Sequence, residues 1–381
     1  MNIGLVVPEM PPDTIGGGGA VFEALAQGLC ERGHSVSVVT SRTQGAASGG
    51  NPHPFPVVRL REFPHPGPAY RTYMPPFPLE LHRARAALRG CDVINAHGHG
   101  HPLVDLVAMF CVPYQRIVYT LHGFLYTIPK NGGILATLYR GYDATFGQPI
   151  FRRSRYVTAV SRAVAAEAAE RGRPDTLVIN NGFVPFGPPP ALNDAVEAQL
   201  QRGPYILCVG RLEMLKGFDI AIRALAMIRA REIELRLVIV GRDNGALADL
   251  RRLVGRLDLG NAVSFVGFVD HAVLPTIFRR AFATIVTSRT EAFPATPLEA
   301  MSLGSPCVLS RVGGITDIAT DGREALMCQP DDPAQLAAAI ERIRRDPSLR
   351  RRLVDGGLAR SRSFTWPRIV EEYEAVYARV S

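Results

Sequence analysis

Short runs of β-branched residues alternate with helix-length segments along this chain, and the alternation is interrupted once, by prolines, before it begins again. Asn2 to Val7 (NIGLVV) reads as a buried strand, Ala20 to Arg32 as a helix and Ser35 to Thr40 (SVSVVT) as the next strand. Asp92 to Asn95, Ile117 to Leu121, Tyr156 to Val160 and Leu177 to Asn180 continue the series. Strands that alternate with helices in this way imply a parallel sheet with helices on both faces. Pro185 to Pro190 (PFGPPP) can continue neither a helix nor a central strand and reads as a linker. Beyond it, Tyr205 to Val209, Leu235 to Val240, Val263 to Val266, Ala283 to Val286 and Pro306 to Leu309 repeat the pattern, and Trp366 to Val380 reads as a last amphipathic helix. The expected fold is α/β, with two doubly wound, Rossmann-like domains facing a cleft and ligands held outside the carboxyl ends of the strands. The expected boundaries are 1–186 for the first domain, 187–203 for the linker and 204–362 for the second domain. Residues 363–381 form a final helix that can cross back to the first domain.

Composition narrows the function classes. At 381 residues a single hydrophobic core is too large, and 47% hydrophobic with 20% charged residues excludes a disordered chain. The net charge of +8 raises nucleic acid, an anionic membrane surface or a phosphorylated small molecule as partners. Nucleic acid is set aside, because the cations are dispersed and no basic stretch is interleaved with aromatics. Arginines near Arg83, Arg85 and Arg89, and at Arg152, Arg153 and Arg155, suit peripheral contact with the inner membrane face, or simply solvated helix faces. Only Lys130 and Lys216 among the 43 basic residues are lysine. The six cysteines lie in apolar contexts without a C-x-x-C pair, as expected of small hydrophobes in a reducing compartment. The N-terminus enters a strand pattern without a basic leader, and no run approaches 18 uninterrupted apolar residues; a cytoplasmic location is expected.

Several residues could carry chemistry. Gly16 to Gly19 lie between the first strand and its helix, where glycines admit close backbone approach and a helix N-terminus offers N–H groups to an anion. Arg211 and Lys216, in GRLEMLKGFD, follow a strand end, and two fixed cations there suit a diphosphate. Glu291 and Glu299 follow another strand end, separated by seven residues that include Pro294 and Pro297. Thr296 reads as an N-cap with Glu299 closing a capping box, which leaves Glu291 available to accept hydrogen bonds from sugar hydroxyls. His97, His99 and His101 alternate with Gly98 and Gly100, without the carboxylates or cysteines that would complete a metal site. His122 ends a strand.

Together these residues resemble a GT-B retaining glycosyltransferase of family 4, the glycosyl transferases group 1. The resemblance rests on the glycine loop, Arg32 to His34 (RGH), Thr120 to His122 (T-x-H), Val160 to Arg162 (VSR), Asn181 and Gly182. It extends to G-R-L with a downstream K-G, E-x7-E with E-A-M, and Val312 to Ile315 (VGGI). It spans nearly the whole chain. It implies that Arg211 and Lys216 hold the diphosphate of a nucleoside-diphosphate sugar, that Glu299 contacts the ribose and that Glu291 contacts the transferred sugar. It further implies backbone contacts from Gly16, Gly17, Phe293, Ala295, Thr296 and Leu298, with Pro294 standing where many members have glycine. Gly267 and Phe268 would meet the base, and His122 the reaction centre. The acceptor, a polysaccharide, lipid carrier or natural product, would lie near Asn95, His97 and Tyr126. No cofactor or metal is expected, in keeping with the lack of an Asp-x-Asp motif. Epimerisation or hydrolysis of a nucleotide sugar on the same fold is the enzymatic alternative, and a basic membrane-surface binding module the alternative of another class.

Overall fold

The computed structural model describes residues 1–12, 18–42, 51–63, 74–124, 137 and 140–380. These form two compact units, Met1–Val184 with Trp366–Ser381, and Pro185–Thr365.

The first unit is built on strands β1 (Asn2–Val6), β2 (Ser35–Ser41), β3 (Val57–Leu60), β4 (Val93–His97), β5 (Ile117–Leu121), β6 (Tyr156–Ala159) and β7 (Leu177–Val178). They pair in parallel in the order β3-β2-β1-β4-β5-β6-β7. β4 and β5 are buried along their whole length, as expected of central strands covered on both faces. The helix Gly18–Glu31 buries Phe22, Leu25, Ala26 and Leu29. Against this helix lies the last one, Trp366–Tyr377, which buries Ile369, Val370, Tyr373, Val376 and Tyr377 in the same core. Gly28 permits the approach, since a Cβ there would stand 2.7 Å from Val370 Cγ2. Arg32 and His34 reach Glu374 at 2.6 Å each and fasten the polar edge of the contact.

The second unit carries β8 (Tyr205–Val209), β9 (Arg236–Val240), β10 (Val263–Gly267), β11 (Ala283–Val286), β12 (Cys307–Ser310) and β13 (Leu326–Cys328). Their order is β10-β9-β8-β11-β12-β13, again parallel throughout. In both sheets the order reverses beside the first strand, between β1 and β4 and between β8 and β11. Those are the switch points at which adjacent loops diverge and leave room for a ligand.

Three sequence expectations are corrected. β3 and β13 were not anticipated: β3 is four residues preceded by Pro54 and Pro56 and β13 three residues, both at sheet edges and too short to show a period. The stretch 187–203, expected as linker, holds the helix Asp194–Leu200, capped by Asn193 and burying Val196 and Leu200. The strand expected at Asp92 to Asn95 runs on to His97, which places Asn95 in mid-strand.

Trp366 is 7% exposed and its indole Nε1 is buried without a partner. We therefore expect Trp366→Ala to destabilise the first unit by about 3–5 kcal/mol and Trp366→Phe by much less, because Phe leaves no orphaned donor. Hydrogen exchange checks this, with protection lost in residues 1–184 while Pro185–Thr365 keeps its own.

Candidate active site

The loop after β8 turns at Met214–Lys216 and ends on Gly217, whose φ of 64° is left-handed. A Cβ at Gly217 would stand 2.1 Å from the Thr287 carbonyl oxygen, so only glycine lets this loop lie against the end of β11. Thr287 Oγ1 donates to the Lys216 carbonyl at 2.9 Å, which completes the seam. Across it, Lys216 Nζ donates to Glu291 Oε1 at 2.6 Å, and Ser288 Oγ donates to the same oxygen at 2.7 Å. A third loop closes from the far side: Gly314 N–H donates to the Glu291 carbonyl at 2.9 Å, and a Cβ at Gly313 would stand 1.9 Å from that oxygen. The cation and the carboxylate singled out in the sequence thus meet at the switch point of the second sheet. Lys216 keeps further N–H donors and Glu291 a second oxygen for a ligand.

The remaining cations and carboxylates are arranged differently. Arg211 is largely exposed and lies 3.3 Å from Glu213. Arg289, which sequence reasoning missed, donates to both oxygens of Asp219 at 3.0 and 2.9 Å and to the Met214 carbonyl, bracing the loop that carries Lys216. Ser288 and Thr287 were missed too; only their place directly after a strand could have marked them. The capping box expected at Thr296 and Glu299 is not formed. The helix is Thr296–Ser302, its N-cap is Ala295 and no side chain caps it. Glu299 Oε1 lies 3.2 Å from His271 Nε2 instead, and the His271 ring stacks on Phe186 at 4.5 Å. Leu298 is fully buried, so only its backbone could meet a ligand, and Phe293 packs against Phe364 with ring centroids 5.6 Å apart. Gly267 closes β10, and the neighbouring Phe268 is 68% exposed beneath the Arg242 guanidinium at 5.1 Å.

In the first unit two of the three alternating histidines, His97 and His99, take different partners. His97 Nδ1 lies 3.0 Å from His122 Nε2, whereas His99 Nε2 lies 2.7 Å from the Asp143 carboxylate. Among the described residues no cluster of three His, Cys, Asp or Glu side chains could hold a metal. Burial, and after it His122, holds the His97 imidazole well below its ordinary range; burial, and after it His101, pushes His122 down to about 4. Asn95 is fully buried, its amide donating to Tyr377 Oη at 2.6 Å and its carbonyl accepting from Thr120 Oγ1 at 2.7 Å. With both polar atoms engaged, by Tyr377 of the last helix and by Thr120 of β5, the buried side chain is withdrawn from an acceptor. His97, 1% exposed, is likewise withdrawn from direct acceptor contact. Gly16, Gly17, Tyr126 and Lys130 lie outside the described residues.

Two family models divide the chain as the two sheets do: Glycosyltransferase Family 4 over residues 15–185 and Glycosyl transferases group 1 over residues 193–360. A glycogen synthase of Mycobacterium tuberculosis (strain H37Rv) is 30% identical over 408 residues, which covers 99% of this chain and 94% of that protein. The chain belongs to glycosyltransferase family 4, the glycosyl transferases group 1. A D-inositol 3-phosphate glycosyltransferase of Acidothermus cellulolyticus is 39% identical over 183 residues, 46% of this chain and 41% of its own length. Among solved structures, sucrose-phosphate synthase from Thermosynechococcus elongatus superposes with a TM-score of 0.79 at 24% identity over 100% of this chain and 98% of that one. Anabaena Alr3699/HepE, in complex with UDP and glucose, superposes with a TM-score of 0.75 at 20% identity over the whole of both chains. This glycosyltransferase therefore has the GT-B fold, two parallel-sheet α/β domains. None of its described helices is long and apolar enough to cross a membrane. Among its basic stretches, Arg83 is taken up by Glu80 at 2.5 Å, and Arg153 and Arg155 lie over the rings of Tyr114 and Tyr156.

The hydrogen bond to Glu299 raises the His271 imidazole above its ordinary value of 6.5. A raised folded-state value means that the contact contributes stability below the unfolded value and loses it as pH rises through the folded one. We expect the His271 ring to titrate by NMR with a midpoint above 6.5 and to shift downward in Glu299→Gln.

Proposed function

We propose that this glycosyltransferase moves a sugar from a nucleoside-diphosphate sugar to an acceptor hydroxyl with retention of the anomeric configuration. The observation that carries the reading is the Lys216–Glu291 pair at the switch point of the second sheet, where a doubly wound domain holds its ligand. In the proposed complex the diphosphate meets Lys216 and Arg211, the ribose hydroxyls meet Glu299, and the base lies at Gly267 and Phe268. The transferred sugar donates hydroxyl hydrogen bonds to Glu291 and meets backbone groups between Phe293 and Leu298. The Anabaena neighbour bound to UDP and glucose supports a nucleoside diphosphate as the leaving group.

The charge distribution supports retention without a protein nucleophile. Glu291 Oε1 already accepts from Lys216 and Ser288, which lowers its nucleophilicity and suits it to holding hydroxyls. In the proposed step the bond from the anomeric carbon to the diphosphate oxygen breaks, and a bond to the acceptor oxygen forms on the same face. The acceptor proton passes to the departing diphosphate. Arg211 and Lys216 stabilise the charge that grows there, so the proposal requires no metal ion. His122 is assigned to the reacting sugar.

Lys216→Ala should lower turnover by about 10²–10³-fold, the usual effect of removing one preorganised donor to a developing negative charge, without loss of the cooperative melt. Turnover within a factor of about two of wild type would remove Lys216 from the donor site. Proton NMR of the product's anomeric coupling tests the stereochemistry directly, and an inverted product would refute the mechanism.

A further inference from the structure

Few buried side-chain nitrogens lack a hydrogen-bond partner in a folded chain, and one such atom lies at the end of β4. His97 Nε2 is buried with no partner, while Nδ1 of the same ring lies 3.0 Å from His122 Nε2. The register produces the contact: His97, last in β4, pairs with Thr120 of β5, and His122 follows two residues on. Phe22 stands edge-on to both imidazoles, with centroids at 5.2 and 5.3 Å, and the Tyr373 ring lies 6.1 Å from His97. Aromatic surface thus surrounds His97, while His122 is only half-buried.

Both rings are neutral near neutral pH, since burial holds their basicity down. A nitrogen–nitrogen contact between neutral imidazoles shares one proton, so one ring donates and the other accepts. If His122 donated, His97 would accept at Nδ1 and carry its own proton on Nε2, as an N–H buried with no acceptor. If His97 donates from Nδ1, its Nε2 is a bare lone pair. An orphaned buried N–H is the rarer of the two conditions, which selects the second arrangement. His122 then accepts at Nε2 and carries its proton on Nδ1.

We propose that His97 is a positioning residue that holds His122 in the Nδ1–H tautomer, so that His122 donates a hydrogen bond to a sugar oxygen of the bound substrates. The proposal rests on the assignment of His122 to the reacting sugar and adds a direction to it. His122 acts as a fixed donor, and its partner must be an acceptor oxygen. A ring free to exchange tautomers would present that N–H for only part of the time.

Long-range nitrogen–proton NMR spectra of the full chain, labelled with 15N at histidine, test the tautomer without any turnover. At about pH 7, His122 should show a protonated Nδ1 and an unprotonated Nε2. A protonated Nε2, or signals averaged between the two forms, would overturn the proposal. His97→Asn keeps an N–H donor near the position of Nδ1 and should preserve the His122 signature, whereas His97→Leu should abolish it. With a working sugar donor, His97→Leu should lower kcat by about tenfold with little change in donor KM, and His97→Asn should recover most of that loss. Equal losses in both variants would make His97 merely structural. Wild-type turnover by His122→Ala would overturn the functional half of the proposal, while the spectrum of the unmodified chain tests the tautomer on its own.

Discussion

The ion pair between Lys216 Nζ and Glu291 Oε1, 2.6 Å long, is the contact that holds the loops at the switch point of the second sheet together. It forms only because three loops converge on it. The loop after β8 must lie flat against Thr287, which requires Gly217; the loop after β12 must reach the Glu291 backbone, which requires Gly313. A Cβ at either position would stand far inside van der Waals contact with a carbonyl oxygen, so both glycines are needed for close approach as well as for their positive φ. Arg289 adds rigidity by fastening the Lys216 loop to Asp219 and Asp331. Removing Lys216 would leave a mostly buried carboxylate with Ser288 as its remaining side-chain donor, an electrostatic cost distinct from any loss of ligand contact.

The first unit solves a different problem, that of keeping polar side chains inside a parallel sheet. Asn95, Thr120 and Thr158 form a chain of buried hydrogen bonds that ends on Tyr377 of the last helix. Deeper toward the helices, Tyr119 and Tyr142 both donate to Asp105, whose carboxyl is raised to about 6 by burial. These networks tie the last helix and the strand ends to one geometry, and the His97–His122 pair sits at their edge. A buried network satisfied in this way specifies a single arrangement, because each partial disconnection leaves a polar group unpaired.

Much of the architecture was legible in the chain because its strands are short, β-branched and separated by helices of ordinary length. Ile117–Leu121, Tyr205–Val209 and Ala283–Val286 could be bounded to the residue. Edge strands could not, since Val57–Leu60 and Leu326–Cys328 lack the length for a period to appear. In the candidate site, Lys216 and Glu291 were found through spacing and residue type, and the structure joins them. Asn95 was misread because the histidine–glycine alternation that follows it suggests a loop, whereas the hydrogen bonds of β4 continue to His97. The capping role of Glu299 was misread for a similar reason. Ser/Thr-x-x-Glu has the form of a capping box, but the helix begins one residue earlier and the carboxylate turns to His271, a partner 28 residues away that no local pattern reveals.

The central claim is that the second sheet's switch point, organised by Lys216 and Glu291, is where a nucleoside diphosphate binds. Hydrogen exchange of the whole chain with and without a panel of nucleoside diphosphates tests this most directly. The account predicts new protection confined to the loops around 210–217, 267–268, 288–299 and 313–314. Protection by the tightest-binding nucleotide that leaves all four segments unchanged and appears elsewhere would contradict it.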